Sequence, residues 1–176
     1  MRKVILYIAM SVDGYIAKNN GDVSWLGGDG SDPEALGSYP SFYETIDTVI
    51  MGWNTYHQIT TELSPKRNPY EGKNSYVLTH KNEENKADIF FVNEDIIKFI
   101  QTLREQDGKN IWICGGASIA QQLIENDLID VYHISIMPTL LGQGIKLFSD
   151  SANEKQLRLI KTEKYNGIVD LVYEKR

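Results

Sequence analysis

The chain has 176 residues, 24 Asp and Glu against 18 Lys and Arg, a net charge of −6 and one cysteine. That length suits a single domain, residues 1–176, able to bury a core without a structural metal, and the lone Cys114 excludes an intramolecular disulfide. The acidic balance and the absence of a dense Lys/Arg run argue against nucleic-acid binding, no apolar run of about 18 residues argues against a membrane span, and a cytoplasmic location is expected.

In chain order, residues 4–10 form a near-continuous apolar run, the pattern of a strand covered on both faces. Asp13-Gly14 reads as a turn and Tyr15-Ile16-Ala17 as a short extended piece. Residues 19–40 are rich in Gly, Asp, Ser and Pro and carry Trp25; a loop of that length is usually a cover or a binding loop. A short helix over 41–45 leads to a strand at 48–51, closed by Gly52 and followed by a helix over 54–63. After a second loop, 64–73, come strands at 76–79 and 89–92. Asn93 is the expected N-cap of a helix to about Gln106, with Ile96, Ile97, Ile100 and Leu103 on one face. A strand at 111–113 runs into Gly115-Gly116 and a further helix with Ile119, Leu123 and Ile124 inward. A strand at 131–137 and two C-terminal strands follow, the last two meeting at Asn166-Gly167, a strong hairpin signal. Strands alternating with helices predict an α/β fold: a mostly parallel sheet, helices on both faces and an antiparallel C-terminal hairpin.

Two strand-to-helix junctions carry chemistry. In Ile113-Cys114-Gly115-Gly116-Ala117-Ser118 the glycines allow close backbone approach, and the following helix start offers free N–H groups and a positive dipole end to a pyrophosphate. In Met51-Gly52-Trp53-Asn54-Thr55 the pattern recurs. Each alone reads equally as a tight turn, and G-x-G-x-x-G is absent. Together, at strand C-termini of one sheet, they predict a ligand crevice. Asp13 is either a turn residue or a proton donor, and Cys114 either a small core residue or a reactive thiol. The three histidines show no pairing at ligand spacing, so no metal site is expected.

The segments Ser11-Val12-Asp13-Gly14-Tyr15-Ile16-Ala17, Val-Ile-Met-Gly-x-x-Thr-Tyr at 49–56 and the strand into Gly115-Gly116 resemble, in order and spacing, the cofactor-side motifs of the dihydrofolate reductase superfamily. The segment 138–148, beginning Pro138-Thr139-Leu140-Leu141-Gly142, resembles its riboflavin-pathway reductase branch. The resemblance implies a three-layer dihydrofolate-reductase-like fold and hydride transfer from NADPH to a pterin-like or aminopyrimidine substrate. By position it places Ala9 and Ile16 beside the nicotinamide. Gly52, Asn54 and Thr55 fall on one side of the pyrophosphate, and Gly115, Gly116, Ala117, Ser118 and Ile119 on the other. Leu78, Thr79 and His80 fall near the adenosine end, where Thr79, His80 and Lys81 are in place for a 2′-phosphate, and Tyr7, Trp25, Phe42 and Ile134 border the substrate. Pairing into a homodimer is implied as well, through the sheet edge or the C-terminal strands, with residues 131–137 and Leu140-Leu141 as a further candidate surface.

The chain departs from that pattern in three places. Trp53 stands where the family commonly has an Arg, and a Trp makes no charge-assisted bond, so NADH is not excluded. Lys73 stands where an Arg grips folate's tail. The acidic residue expected on the helix before the second motif has no counterpart in Ser38-Tyr39-Pro40-Ser41-Phe42-Tyr43-Glu44 except Glu44. The proton source is therefore water or Glu44, with no catalytic side chain identified. A non-catalytic nucleotide-binding protein and a true dihydrofolate reductase remain alternative readings.

Overall fold

The computed structural model describes residues 1–150 and 153–176. Its centre is an eight-stranded sheet. The strands are β1 (Val4–Ser11), β3 (Ile46–Gly52), β4 (Asn74–Leu78), β5 (Ile89–Val92), β6 (Asn110–Gly115), β7 (Val131–Met137), β9 (Leu157–Tyr165) and β10 (Ile168–Lys175). Their order is β5-β4-β3-β6-β1-β7-β10-β9. All pairings from β5 to β7 are parallel, and β10 joins β7 and β9 antiparallel. A small second sheet pairs β2 (Tyr15–Ala17) with β8 (Ile145–Lys146), a strand that no sequence pattern announces. The expected α/β architecture with its C-terminal hairpin is the one observed.

Helices cover both faces. On one face, α3 (Ile96–Glu105) and α4 (Ala117–Glu125) bury Ile100, Leu103, Ile119 and Leu123 against Val4, Leu6, Ile50, Ile111 and Ile113. On the other, α1 (Tyr39–Glu44) and α2 (Trp53–Gln58), with the π-turn Ile59–Leu63 that prolongs it, pack Phe42, Tyr56 and Ile59 on Ile5, Tyr7, Val49, Met51 and Trp112. This double cover is why the parallel strands read as continuous apolar runs.

Boundaries shift where two residues compete for one role. Asp95, not Asn93, caps α3, its carboxylate accepting from Lys98 N at 3.0 Å; Asn93 instead pairs with His80. Helix α1 starts two residues before the expected 41, because Pro40 is suited to a first helical turn. The hairpin turn holds as expected, with Asn166 at φ 46° and Gly167 at φ 73°. The segment 131–137 forms an interior strand between β1 and β10, so it offers no free edge for the pairing surface the sequence suggested.

Candidate active site

Strands β3 and β6 lie side by side, but their connections leave in opposite directions, β3 through α2 to β4 and β6 through α4 to β7. A crevice opens at the strand ends where connections diverge in this way. Both glycine junctions sit on it. A Cβ added to Gly116 would lie 3.4 Å from Thr55 Oγ1, and one on Gly52 would lie 3.3 Å from Ile119 Cδ1. The residues predicted for the two sides of a pyrophosphate therefore meet across the crevice. Gly115 has φ 132°, a conformation that side-chain-bearing residues rarely adopt. Neither Gly52 nor Gly116 receives a side-chain cap, which leaves the first-turn N–H groups of α2 and α4 free for an anion.

Around this crevice the other predicted cofactor residues are spread as follows. Ala9 is near the end of β1, and Ile16 lies on β2, packed against the α3/α4 core. Leu78 ends β4; Thr79 N donates to Val92 O at 3.0 Å and Thr79 Oγ1 accepts from Lys81 N at 3.0 Å. His80 Nδ1 is 2.7 Å from Asn93 Oδ1 on the surface. Lys81 Nζ lies 4.1 Å over the Trp53 ring, so a cation reaches the place where the family's Arg is missing.

The substrate-side residues divide. Tyr7 and Phe42 come together in the α1/α2 layer, with ring centroids 4.4 Å apart and edge to face. Ile134 packs in the opposite layer with α3 and α4, and its side chain does not join them. Trp25 lies in the long loop with its Nε1 buried and without a partner among the described residues. Three rings that the motifs did not single out extend the aromatic wall. Trp112 packs edge-on to Phe42 at 5.4 Å and donates Nε1–H to Tyr7 O at 2.9 Å, while Tyr39 and Tyr70 meet Trp112 at 6.0 and 5.2 Å. Burial pushes the Tyr39 hydroxyl up to about 12 and the Tyr70 hydroxyl further still. Both stay neutral hydrogen-bonding groups.

Beside Tyr7 lies a buried polar cluster drawn from four places in the chain. The Tyr7 ring stacks on His133, centroids 4.0 Å apart. Ser38 Oγ lies 2.9 Å from His133 Nε2 and 3.3 Å from Tyr7 OH, and it donates to Asp170 Oδ2. Ser135 Oγ donates to Asp170 Oδ1 at 2.6 Å, and Tyr165 OH adds a bond at 3.3 Å. Burial alone would raise the Asp170 carboxyl, but the bonds from His133, Ser135 and Ser38 outweigh it and hold it below the usual carboxylate range. A carboxylate thus stands in this layer, supplied by β10 instead of α1. Glu44, the acid noted in the sequence, is exposed at the far end of α1 and is not part of the cluster.

The remaining candidates take structural roles. Asp13 accepts from Ser11 Oγ at 2.6 Å and from the N–H groups of Leu141 and Gly142 at 3.1 and 2.7 Å, and the Ser11 bond foremost brings it down to about 2. It is a tie between two loops and carries no proton to give. Cys114 is pushed up to about 11 by burial and lies 3.4 Å from Tyr70 OH, so it is an inert wall residue. Lys73 donates to Ile46 O at 2.8 Å and lies over the Tyr43 ring, committed to packing. Among the described residues, no three His, Cys, Asp or Glu side chains converge as metal ligands, and no helix is long and apolar enough to cross a membrane.

Known proteins resemble this chain over nearly its whole length. YwjB of Bacillus subtilis (strain 168) is 40% identical over 173 residues, covering 98% of this chain and 97% of its own. YyaP of the same organism is 30% identical over 182 residues, covering 98% and 94%. Among solved structures, a protein from Shewanella sp. PV-4 named for riboflavin biosynthesis superposes with a TM-score of 0.83 at 28% identity, covering 99% of each chain. The diaminohydroxyphosphoribosylaminopyrimidine deaminase/5-amino-6-(5-phosphoribosylamino)uracil reductase of Thermotoga maritima shares the fold, with a TM-score of 0.72 at 19% identity, and this chain spans 57% of it. The model of the RibD C-terminal domain matches residues 2–170, and the chain belongs to the RibD C-terminal domain family.

Proposed function

We propose that this protein is an NADPH-dependent reductase of a small heterocycle of the aminopyrimidine or pterin class. The observation that carries the reading is the meeting of Gly52-Thr55 and Gly115-Gly116 across one crevice, beside an aromatic wall on the same sheet. The glycines and two uncapped helix starts fit a dinucleotide pyrophosphate. Gly52, Asn54 and Thr55 hold it from one side and Gly115 to Ile119 from the other, with Thr79, His80 and Lys81 at the 2′-phosphate. When bound, the cofactor supplies the hydride.

The chain's own work is positioning. Tyr7, Phe42 and Trp112, buried and packed edge to face, form a rigid apolar backing that keeps water from the substrate side of the sheet. Asp170 is ionised at neutral pH, so it orients Ser38 and His133 and fixes the Tyr7 hydroxyl instead of giving up a proton. Water supplies the proton. Folate is the weaker fit, because Lys73 is held by Ile46 O and the Tyr43 ring, and a single ammonium grips a carboxylate tail less well than a bidentate guanidinium.

Fluorescence titration with NADPH and NADH, followed by NADPH oxidation against a panel of aminopyrimidines and pterins, tests the reading. Tight NADPH binding that Gly115→Asp abolishes supports it. Failure of the native protein to bind either dinucleotide overturns it.

A further inference from the structure

Helix α1 carries Tyr39, the most exposed ring of the aromatic wall at 38%, and the buried Phe42 behind it. Little in its own sequence holds it in place. It has six residues, far fewer than a helix needs to be stable by itself, with no acidic residue in its first turn and no basic one in its last. Ser38 occupies its N-cap position, yet the Ser38 hydroxyl bonds no amide of the first turn. That hydroxyl instead donates to Asp170 on β10 and lies 2.9 Å from His133 Nε2 on β7, 132 and 95 positions away in the chain. A long-range tie thus stands where a local cap would ordinarily be.

The direction of each bond follows from the one ionised group. The Asp170 carboxylate only accepts, so the Ser38 proton goes to it. The lone pairs of Ser38 Oγ are then left to accept from His133 Nε2–H and from the Tyr7 hydroxyl. The chain beside Ser38 is shaped to the hairpin as well. Gly37 has φ 55° and passes so close to Tyr165 that a Cβ would lie 2.1 Å from the ring carbon Cζ, while Tyr165 OH donates to Asp170 at 3.3 Å. Earlier in the loop, a Cβ on Gly28 would lie 2.1 Å from Asn166 Nδ2 at the hairpin tip.

We propose that Ser38 is a positioning residue of the reductase, a latch set by Asp170, His133 and Tyr165 that fixes α1 and so places Tyr39 on the substrate side. The inference rests on the aromatic wall being that side. It gives the β9–β10 hairpin a part in substrate affinity, although no residue of the hairpin belongs to the wall. The partners of Ser38 lie on β1, β7 and β10, away from the glycine junctions on β3 and β6, so substrate affinity and dinucleotide affinity are separable.

Amide hydrogen exchange and NADPH titration of Ser38→Ala, Asp170→Asn and the double variant test the latch without a known substrate. The Phe42 amide donates to Ser38 O and the Thr45 amide to Phe42 O. Relative to β1 amides, both are expected to exchange at least about tenfold faster in each single variant. The double variant should add little, because both changes break the same bond. NADPH affinity should stay within about twofold throughout. With an aminopyrimidine or pterin that the native protein reduces, KM is expected to rise about tenfold while kcat stays within about twofold. Unchanged exchange at Phe42 and Thr45, additive effects in the double variant, a matching loss of NADPH affinity, or a fall in kcat at constant KM would each overturn the proposal. If the native protein binds no dinucleotide, the reductase reading fails, and the exchange data still decide whether Ser38 fixes α1. Should Asp170→Asn fail to fold, Gly37→Ala, whose Cβ meets the Tyr165 ring, is expected to give the same exchange and KM changes.

Discussion

The ammonium of Lys81 lies 4.1 Å from the centroid of the Trp53 ring. A residue from the segment after β4 thus brings positive charge over the first residue of α2, where the sequence itself has none. If that charge holds a 2′-phosphate, Lys81→Gln removes one charge-assisted bond, of about 1.5–3 kcal/mol. NADPH affinity is expected to fall at least about tenfold while NADH affinity stays level. Parallel fluorescence titrations check this, and an equal loss for both dinucleotides would remove Lys81 from the specificity site.

Asp170 is 1% exposed and held by Ser38, Ser135, Tyr165 and His133 in the folded protein. Its carboxyl is lowered from the ordinary value of 3.8, so its contribution is present above that pH and is lost as pH falls through the lower folded value. Asp170→Asn is expected to cost about 1–3 kcal/mol at neutral pH, since Ser38 and Ser135 lose their ionised acceptor. It should also flatten the fall of stability below about pH 4. Denaturant melts of both proteins between neutral and acid pH measure the two effects; parallel curves for native and variant would contradict the assignment.

The long loop is fastened at the hairpin tip. Asn166 O accepts from Asp29 N at 2.9 Å, and Asn166 Oδ1 accepts from Gly30 N and Asp32 N at 3.0 and 3.2 Å. Asn166→Ala removes the side-chain bonds and places Ala at φ 46°, at an expected cost of about 1–2 kcal/mol. Hydrogen exchange at the Gly30 and Asp32 amides should quicken far more than at the β1 amides. Unchanged exchange at those two amides would count against the clamp.

The sheet ends at β9, where Leu159 and Ile160 are 51% and 52% exposed. These two side chains make an apolar patch on an edge strand otherwise charged at Arg158, Lys161, Glu163 and Lys164, and an open edge can pair with another chain. A homodimer through this edge is expected, and Ile160→Lys should convert it to monomer in light scattering. A native protein that is monomeric at micromolar concentration would dispose of the idea.

Both glycine junctions were legible in the sequence, because strand, glycine and helix start are contiguous and their meaning is local. The Ser38, His133, Ser135 and Asp170 cluster was not. Its members come from a loop and two strands, with partners up to 132 positions apart. Looking for a carboxylate on α1 led to Glu44, whereas the fold supplies one through the antiparallel pairing of β10 with β7, which sets Asp170 opposite Ser135. Ile134 lies in the layer opposite Tyr7 and Phe42. Neighbouring residues of a strand face opposite layers, so the nearness of Ile134 to His133 in sequence puts their side chains on different sides. The cap of α3 was misplaced by two residues because Asn93 and Asp95 both suit the role, and the choice rests on how β5 ends.

The tie made by Asp13 has a kinetic consequence. Asp13 and Val12 are bonded to residues 139–142, and Leu147 N donates to Gly14 O at 3.0 Å. Ile16 belongs to the same unit through the pairing of β2 with β8. The two segments therefore cannot open independently. Residues 11–17 and 139–147 are thus expected to move together at the Ile16 end. Because the bond from Ser11 foremost holds the Asp13 carboxyl below the usual carboxylate range, that coupling is expected to outlast most carboxylate contacts as the pH falls.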